Sequence, residues 1–378
     1  MRARSVFIAV VAVLVVGTGQ AEAKTWGGGR VQHEKTRTLL RLAHQRLVYQ
    51  VRDGDIETRR SAALTLGRLS PQASAVVALR WSVIADPDQD VRKAAAQSLG
   101  KMGRRARRAV QALMDVVLQD ASAEVRITAA RSLIQISPRS KPVTLVLGQA
   151  LIWETSPTAR RQIARVLGSM TSPTAVSMLI KALDGKREVR RVAARTLGSM
   201  GRRARSAAAA LIGILDDSDP YTRATVIWAL GRLEVRSATR PLCSVLESDQ
   251  RAGMRKAAAV ALGRIGAQSP IVTQTLERTL LGDSSGRVRW AAAWALGSMG
   301  PKAAGAILAL QRSLLKDPRH KVRGQAALAL GKMGPRAKSA IRALKHARRL
   351  DDNPQVRRLT LVALKNIGDR LPAARSRN

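Results

Sequence analysis

The residue types that most often carry catalysis or bind metals are few and dispersed in this sequence. The four histidines share no metal-ligand spacing: His33, His44, His320 and His346. The one cysteine, Cys243, lies in the apolar stretch RPLCSVLE, so it is predicted to be a buried thiol rather than a nucleophile. No Ser/His/Asp or Cys/His arrangement and no phosphate-binding Gly-rich motif occurs. We therefore predict no catalytic residue, no metal, no cofactor and no enzymatic activity.

Two ionisable positions, by contrast, recur in strict register. A repeat occurs ten times, at steps of 30 to 34 residues. We call one fixed position of each repeat its anchor, and the ten anchors are Gly67, Gly100, Ile134, Gly168, Gly198, Gly231, Gly263, Gly297, Gly331 and Lys365. Eight residues before each anchor stands an Arg, and six residues before that Arg stands an acid. The residue just before the anchor is always Leu. This repetition within one chain predicts a repeat protein.

The spacing within one repeat predicts two helices joined by a turn that carries the acid. The second, helix B, opens in several copies with a capping residue before Pro, as in Ser156-Pro157, Asp219-Pro220 and Asn353-Pro354. On a helical wheel the strict Arg falls within about 20° of the buried Leu, so its charge needs a partner. We predict that the strict Arg pairs with the acid of its own or of a neighbouring repeat. The predicted structural ladder includes Asp86, Arg92, Asp217, Arg223, Asp283, Arg289, Asp317 and Arg323.

The motif VRxxAAxxLGxMG, seen as Val288–Gly300, resembles the short HEAT-like repeat. The resemblance covers residues 34–370 and implies an all-α fold, an α-solenoid in which antiparallel helix pairs stack as a superhelix. It also implies that the B helices line a concave surface, and that the chain serves as a binding surface for a partner. HEAT-like metal hydroxylases need several His-Glu pairs, whereas this chain has only His33-Glu34. HEAT-like bilin lyases and DNA glycosylases are not supported either, because no feature indicates a tetrapyrrole and no acid occupies the expected concave positions.

The helix-B face opposite the buried Leu carries the positions seven and three before the anchor and one after it. Its thirty positions hold no acid and fourteen basic residues: Arg60, Arg68, Lys93, Lys101, Arg131, Arg161, Arg165, Arg191, Arg195, Arg232, Lys256, Arg264, Lys332 and Arg358. Trp228, Trp290 and Trp294 lie on the same face. Trp is enriched at binding hot spots, although these rings could instead fold back onto neighbouring repeats. The predicted partner-binding residues are Arg161, Arg165, Arg191, Arg195, Trp228, Trp290 and Trp294.

The two ends of the chain differ from the repeats. Residues 1–23 resemble a secretory signal peptide with cleavage after Ala23, which predicts an exported protein, periplasmic or secreted; an uncleaved anchor is the alternative. Residues 24–33 form a predicted flexible lead-in, residues 34–372 one elongated solenoid and residues 373–378 a basic tail. No later segment resembles a transmembrane helix.

The charge balance bears on the partner. The chain holds 66 Lys and Arg against 26 Asp and Glu, a formal net charge of +40, which favours anionic partners unless it only keeps the protein soluble. We predict a non-enzymatic scaffold that binds a protein or peptide of acidic character through its basic, Trp-bearing face. The alternative is electrostatic binding of a polyanion, namely anionic lipid, lipopolysaccharide or, less favoured, nucleic acid.

Overall fold

The structure is a computed structural model that describes residues 30–69 and 72–368, and the side chains from residue 38 onward. Within these residues the chain is helical and contains no strand. Ten A helices alternate with ten B helices, and they are numbered in chain order so that the B helices take the even numbers. The predicted all-α solenoid of stacked helix pairs is confirmed.

The A helices are α1 (Arg30–Asp53), α3 (Ala73–Ala85), α5 (Val110–Gln119), α7 (Lys141–Trp153), α9 (Pro173–Ala182), α11 (Ala208–Gly213), α13 (Thr239–Ser248), α15 (Pro270–Gly282), α17 (Ile307–Lys316) and α19 (Ile341–Leu350). The B helices are α2 (Ile56–Leu66), α4 (Gln89–Met102), α6 (Ala123–Ile136), α8 (Pro157–Ser169), α10 (Arg187–Met200), α12 (Pro220–Leu233), α14 (Ala252–Ile265), α16 (Gly286–Met299), α18 (His320–Met333) and α20 (Pro354–Ile367).

The helices form two compact units, where the sequence predicted one elongated solenoid. Unit 1 extends to Met178 and unit 2 begins at Leu179, so the boundary lies within α9. Within each unit successive B helices pack against each other, and the B helices other than α10 also pack against the A helix that precedes them. The first helix begins at Arg30, four residues before the predicted start of the repeats. The predicted signal peptide and basic tail lie outside the described residues.

The core is built from small and medium aliphatic side chains. Each of the ten Leu residues that precede an anchor is fully buried. The positions five before the anchor, mostly Ala, lie in the same core. The predicted caps form as well, since the side chain of Asp219 accepts the backbone N–H of Thr222 and that of Asn353 accepts the N–H of Val356.

The anchor glycines lie at the points of closest approach between successive B helices. A methyl group on Gly297 would lie 2.9 Å from the Cα of Ala329, and one on Gly331 would lie 2.8 Å from the Cα of Ala363. The small residue two positions before the next anchor, Ala or Ser, is what lets the backbones approach so closely. Helix propensity alone disfavours Gly in a helix by about 1 kcal/mol, so close packing is the physical reason for its recurrence here.

A second glycine, three residues after the anchor, ends six of the B helices, and four of these glycines adopt the same backbone conformation. Gly103, Gly201, Gly300 and Gly334 have φ between 56° and 60°, a conformation that a side chain disfavours. Each opens a 3₁₀ segment that leads into the next A helix, such as Gly300–Ala306. The sequence indicated only that a glycine-containing loop lies here.

We expect Gly297→Val to lower the free energy of unfolding by about 1–3 kcal/mol, because the added atoms would press against the backbone of α18. Gly282→Ala is the matched control, since a methyl group there would have no neighbour within 4 Å. Urea unfolding followed by circular dichroism measures both variants. Equal stability of the two would contradict the close-packing explanation.

Candidate partner-binding site

The strict Arg and acid of the sequence pair between repeats. Arg92 binds Asp120 through two hydrogen bonds of 2.8 and 3.0 Å, and Arg289 binds Asp317 through two of 2.7 and 3.1 Å. The same Arg–acid link joins eight successive pairs: Arg59–Asp86, Arg92–Asp120 and Arg126–Glu154 in unit 1, and Arg190–Asp217, Arg223–Asp249, Arg255–Asp283, Arg289–Asp317 and Arg323–Asp351 in unit 2. Of the two partners that the sequence left open, the carboxylate therefore comes from the following repeat.

In six of the eight pairs the acid of the Arg's own repeat contributes its backbone carbonyl instead. Arg289 donates from Nη1 to the carbonyl oxygen of Asp283 at 2.8 Å, and Arg323 donates to that of Asp317 at 3.1 Å. Each of the eight paired acids also accepts a backbone N–H two residues later, as Asp317 does from Arg319 at 2.9 Å. One guanidinium thus binds the turns of two repeats, and we refer to the whole set as the Arg–acid ladder.

Arg160 is bound differently within unit 1. Its Nη2 donates to the carbonyl oxygens of Glu154 and Thr155, at 2.7 and 3.3 Å, and both belong to its own repeat. Neither the type nor the position of Arg160 in its repeat predicts this difference. It did place the shortest step, 30 residues, between Gly168 and the next anchor.

The ladder shifts the protonation equilibria of its members. Hydrogen bonding to the partner carboxylate raises the pKa of Arg92, Arg289 and Arg323, although partial burial opposes this. Burial alone would raise the pKa of the Asp283 carboxyl, but its hydrogen bonds from Arg255 and from the backbone of Ser285 hold the pKa below its usual value. The ladder is therefore charged on both sides at neutral pH.

The seven predicted binding residues fall on exposed or half-buried positions of the B helices, divided between the units. Arg161 and Arg165 lie on α8 in unit 1, whereas Arg191 and Arg195 lie on α10 in unit 2, and all four are exposed. The three Trp residues belong to unit 2 and are half-buried.

Two of the Trp rings rest on anchor glycines of the preceding repeat. The ring of Trp228 lies where a side chain on Gly198 would be, and a methyl group on Gly263 would lie 3.0 Å from Cζ3 of Trp294. Each of these two rings thus packs against the neighbouring repeat, which was one of the two alternatives, and keeps a solvent-exposed portion; a binding role for the rings stays a prediction. The packing fixes the ring orientation, which lowers the entropy that a bound partner would have to remove.

The basic residues of this face are paired differently in the two units. In unit 1, Arg60 binds Glu57 at 3.2 Å and Lys93 binds Glu124 at 2.5 Å. In unit 2 the basic residues of the face have no carboxylate within 4 Å among the described residues: Arg191, Arg195, Arg232, Lys256, Arg264, Lys332 and Arg358. Unit 2 therefore presents a cationic face that the described part of the chain does not neutralise.

The remaining candidate features are two exposed Trp residues that the sequence analysis did not predict, the Cys thiol, and the search for metal-binding and membrane-spanning residues. Trp153 and Trp81, on A helices, are 68% and 42% exposed, and the predicted binding residues, which all lie on B helices, do not include them. Cys243 is buried as predicted, and burial raises the pKa of its thiol. Residues 30–69 and 72–368 contain no cluster of three metal-ligating side chains. Nor does any helix among them combine the length and apolar character needed to span a bilayer.

The sequence matches the family model for HEAT repeats four times, at residues 45–134, 144–217, 208–297 and 273–365. The resemblance drawn from the repeat motif is thereby confirmed. No curated protein matches the sequence.

Solved structures with a similar fold include karyopherins. A mutant of Kap121p has a TM-score of 0.69 at 14% identity and aligns over 95% of this chain and 47% of that one. Importin beta has a TM-score of 0.61 at 14% identity, over 94% and 55% of the two chains, and Kap95p, solved with RanGDP, has 0.59 at 14%, over 88% and 50%. This chain thus spans about half the length of the solved structures that it matches. At this identity the likeness shows the fold alone.

The comparison contradicts the predicted location. The karyopherin neighbours belong to nuclear import, as in the description of the Kap95p complex, and not to an exported class of proteins. We correct the prediction accordingly, and no exported, periplasmic or secreted location is assigned. The segment on which that prediction depended, residues 1–23, lies outside the described residues.

We expect Arg289→Ala to lower the free energy of unfolding by about 3 kcal/mol, because it leaves the buried Asp317 carboxylate without its partner. Arg287→Ala, two residues away, should change it by less than about 0.5 kcal/mol, since Arg287 is exposed and has no ion pair within the described residues. Urea unfolding of both variants provides the comparison. Equal losses would mean that the ladder contributes nothing specific.

We also expect the protein to lose stability in acid. The pKa values of Glu154, Asp283 and Asp351 are lowered in the folded state, so their contribution is complete above the ordinary values of 4.5 and 3.8 and is lost as the pH falls through the lower folded values. Thermal melts between pH 7 and pH 2 should show the melting temperature falling below about pH 4. Asp283→Asn should reduce this dependence and Glu57→Gln, at an exposed position, should not. A melting temperature independent of pH would refute the argument.

Proposed function

Because this chain belongs to the HEAT-repeat family, we propose that it is a non-enzymatic scaffold that binds a protein or peptide of acidic character. The binding surface is the helix-B face of unit 2, where Trp228, Trp290 and Trp294 anchor the partner. Arg191 and Arg195 steer it and hold its carboxylates. Arg161 and Arg165, on α8 of unit 1, are the other two basic residues of the predicted set.

The observation that carries this proposal is the unneutralised charge beside half-exposed aromatic rings. Seven basic residues on the face of unit 2 have no carboxylate within 4 Å among the described residues, whereas unit 1 neutralises two of its own with Glu57 and Glu124. Mutual repulsion among such residues destabilises the free protein and is relieved when an acidic partner binds. The Trp rings add apolar contact area of the kind found at binding hot spots.

Proteins of the same fold provide a second line of support. Kap121p has been solved bound to the SUMO protease Ulp1p and bound to Nup53p, so solenoids of this type can hold protein partners. The identity of a partner does not transfer at 14% identity.

A polyanion is the second candidate, favoured by one specific observation. The 3₁₀ segment Gly103–Ala109 exposes Arg104, Arg105, Arg107 and Arg108, and none of them has an ion pair within the described residues. Several adjacent guanidinium groups suit phosphate-rich ligands, whose binding weakens steeply with salt. This cluster lies in unit 1, apart from the Trp residues.

The test is affinity capture with the tagged full chain from a cell extract, followed by identification of bound molecules. We expect proteins with acidic segments to remain bound between about 50 mM and 200 mM salt. The double variant Trp290→Ala/Trp294→Ala should lose at least tenfold in affinity while retaining its helical circular dichroism. Trp153→Ala, an exposed Trp of unit 1, is the matched control and should bind normally.

Two results would overturn the proposal. Capture of only lipid or nucleic acid that is fully released at the higher salt would favour the polyanion. Equal binding by the Trp290→Ala/Trp294→Ala variant and by Trp153→Ala would remove the Trp residues from the site.

A further inference from the structure

One position of the B helices changes its chemistry along the chain. Three residues before the anchor, the last five repeats carry only apolar side chains, which we call the apolar row: Trp228, Val260, Trp294, Leu328 and Val362. The first four are half-buried and Val362 is 41% exposed. The five lie on consecutive B helices of unit 2, from α12 to α20, each packed against the next.

The same position is polar and exposed in the repeats just before. It holds Gln97, Arg131, Arg165 and Arg195 on α4, α6, α8 and α10, and only Leu64 of the first repeat is apolar. Folding the solenoid therefore does not require an apolar side chain at this position. The burial of Leu and Ala on the opposite face of the helix already supplies the core.

Basic residues flank the apolar row on both sides. One position after the anchor stand Arg232, Arg264 and Lys332, and seven before it stand Lys256 and Arg358. All five are exposed, and none has an ion pair among the described residues. An apolar centre with cationic borders is complementary to a ligand with apolar side chains between carboxylates.

Acids are missing from the whole length of these five helices. None of the fourteen residues in each of α12, α14, α16, α18 and α20 is Asp or Glu. At the chain's frequency of 26 acids in 378 residues, about five would be expected. The first turn of a helix favours acids, and α2, α4, α6 and α10 have them there, so their loss from the last five helices runs against helix stability.

The spacing of the helices defines the form of the ligand. Packed helices lie about 8–10 Å apart, and the glycine–alanine contacts place these helices toward the close end of that range. An extended chain in the polyproline II conformation has three residues per turn and rises about 3.1 Å per residue, so every third side chain lies on the same face, about 9 Å from the last. A segment that crosses the five helices would present one side chain to each of them at every third position.

We infer that the apolar row of unit 2 holds an extended acidic segment of another protein, with an apolar side chain at every third residue and Asp or Glu between. This inference rests on the proposed function and specifies the partner of the same face. The apolar side chains pack on the row between Trp228 and Val362, and the carboxylates bind Arg232, Arg264 and Lys332 on one side and Lys256 and Arg358 on the other.

The experiment measures fluorescence anisotropy of labelled synthetic peptides bound to the full chain. The first probe repeats Glu-Glu-Leu over about 15 residues, enough to cross five helices at about 3.1 Å per residue. The second replaces each Leu with Ser, which keeps the charge, and the third replaces each Glu with Lys. We expect the first peptide to bind at least tenfold more tightly than either of the others at about 150 mM salt.

Substitutions within the apolar row locate the site. Val260→Glu and Val362→Glu should each weaken the first peptide by about tenfold, because they place a like charge where its Leu residues pack. Gln97→Glu, at the same position of a repeat in unit 1, is the matched control and should not change binding. Val362 lies at the exposed end of the row, so its substitution tests the site even if Val260→Glu perturbs folding; circular dichroism checks both variants. The basic residues that flank the row are tested in the same way. Arg264→Glu should weaken binding of the first peptide, and Arg68→Glu, at the same position of a repeat in unit 1, is its matched control.

The outcomes separate this inference from the proposed function. If the Ser peptide binds as tightly as the Leu peptide, and if Val260→Glu and Val362→Glu bind normally, the apolar row is not the site. The proposal of an acidic partner is then still supported. If neither acidic peptide binds, both proposals fail. Equal weakening by Gln97→Glu and Val260→Glu would show binding by overall charge and would also overturn the apolar row.

Discussion

The link between the guanidinium of one repeat and the acidic turn of the next is the interaction on which the structure depends. Arg289 is bound at the same time by the carboxylate of Asp317 and by the backbone carbonyl of Asp283. A single side chain therefore fixes both the turn of its own repeat and the distance to the following one. Removing either charge would leave the other buried, which explains on physical grounds why the two positions vary so little among the ten copies.

The ladder and the glycine contacts act on opposite parts of helix B. The strict Arg lies near the beginning of the helix, whereas the anchor glycine lies near its end and touches the next helix through Ala or Ser. Held at both points, successive B helices stay in register without requiring a particular residue type on the face that carries the basic and Trp side chains, even though Trp228 and Trp294 add contacts there. That freedom allows the face to differ between repeats, as the change from Arg195 to Trp228 at one position illustrates.

The distribution of charge follows from the same division. The acids of the turns are largely neutralised by the ladder, so they contribute little to the surface, while the basic residues on the B helices of unit 2 have no such partners within the described residues. Seven of the basic residues that contribute to the net charge of +40 thus lie on the face of unit 2, where no ion pair of the described residues uses them. A surface of this kind attracts acidic ligands at long range and loses part of that attraction in salt.

The sequence alone determined the repeat, the helix pairs and the buried Leu positions, because these depend on residue spacing and hydrophobic periodicity within each copy. It also identified every member of the ladder, but not which repeat supplies the carboxylate, since a spacing of six residues along the chain does not fix a distance between repeats. Only the tertiary structure decided that Arg92 reaches forward to Asp120, that the chain divides at Met178, and that Trp228 lies on Gly198. The residues of the apolar row can be found in the sequence only when the B helices are known to be adjacent. They are about 33 residues apart along the chain, and they form one surface because successive repeats pack against each other.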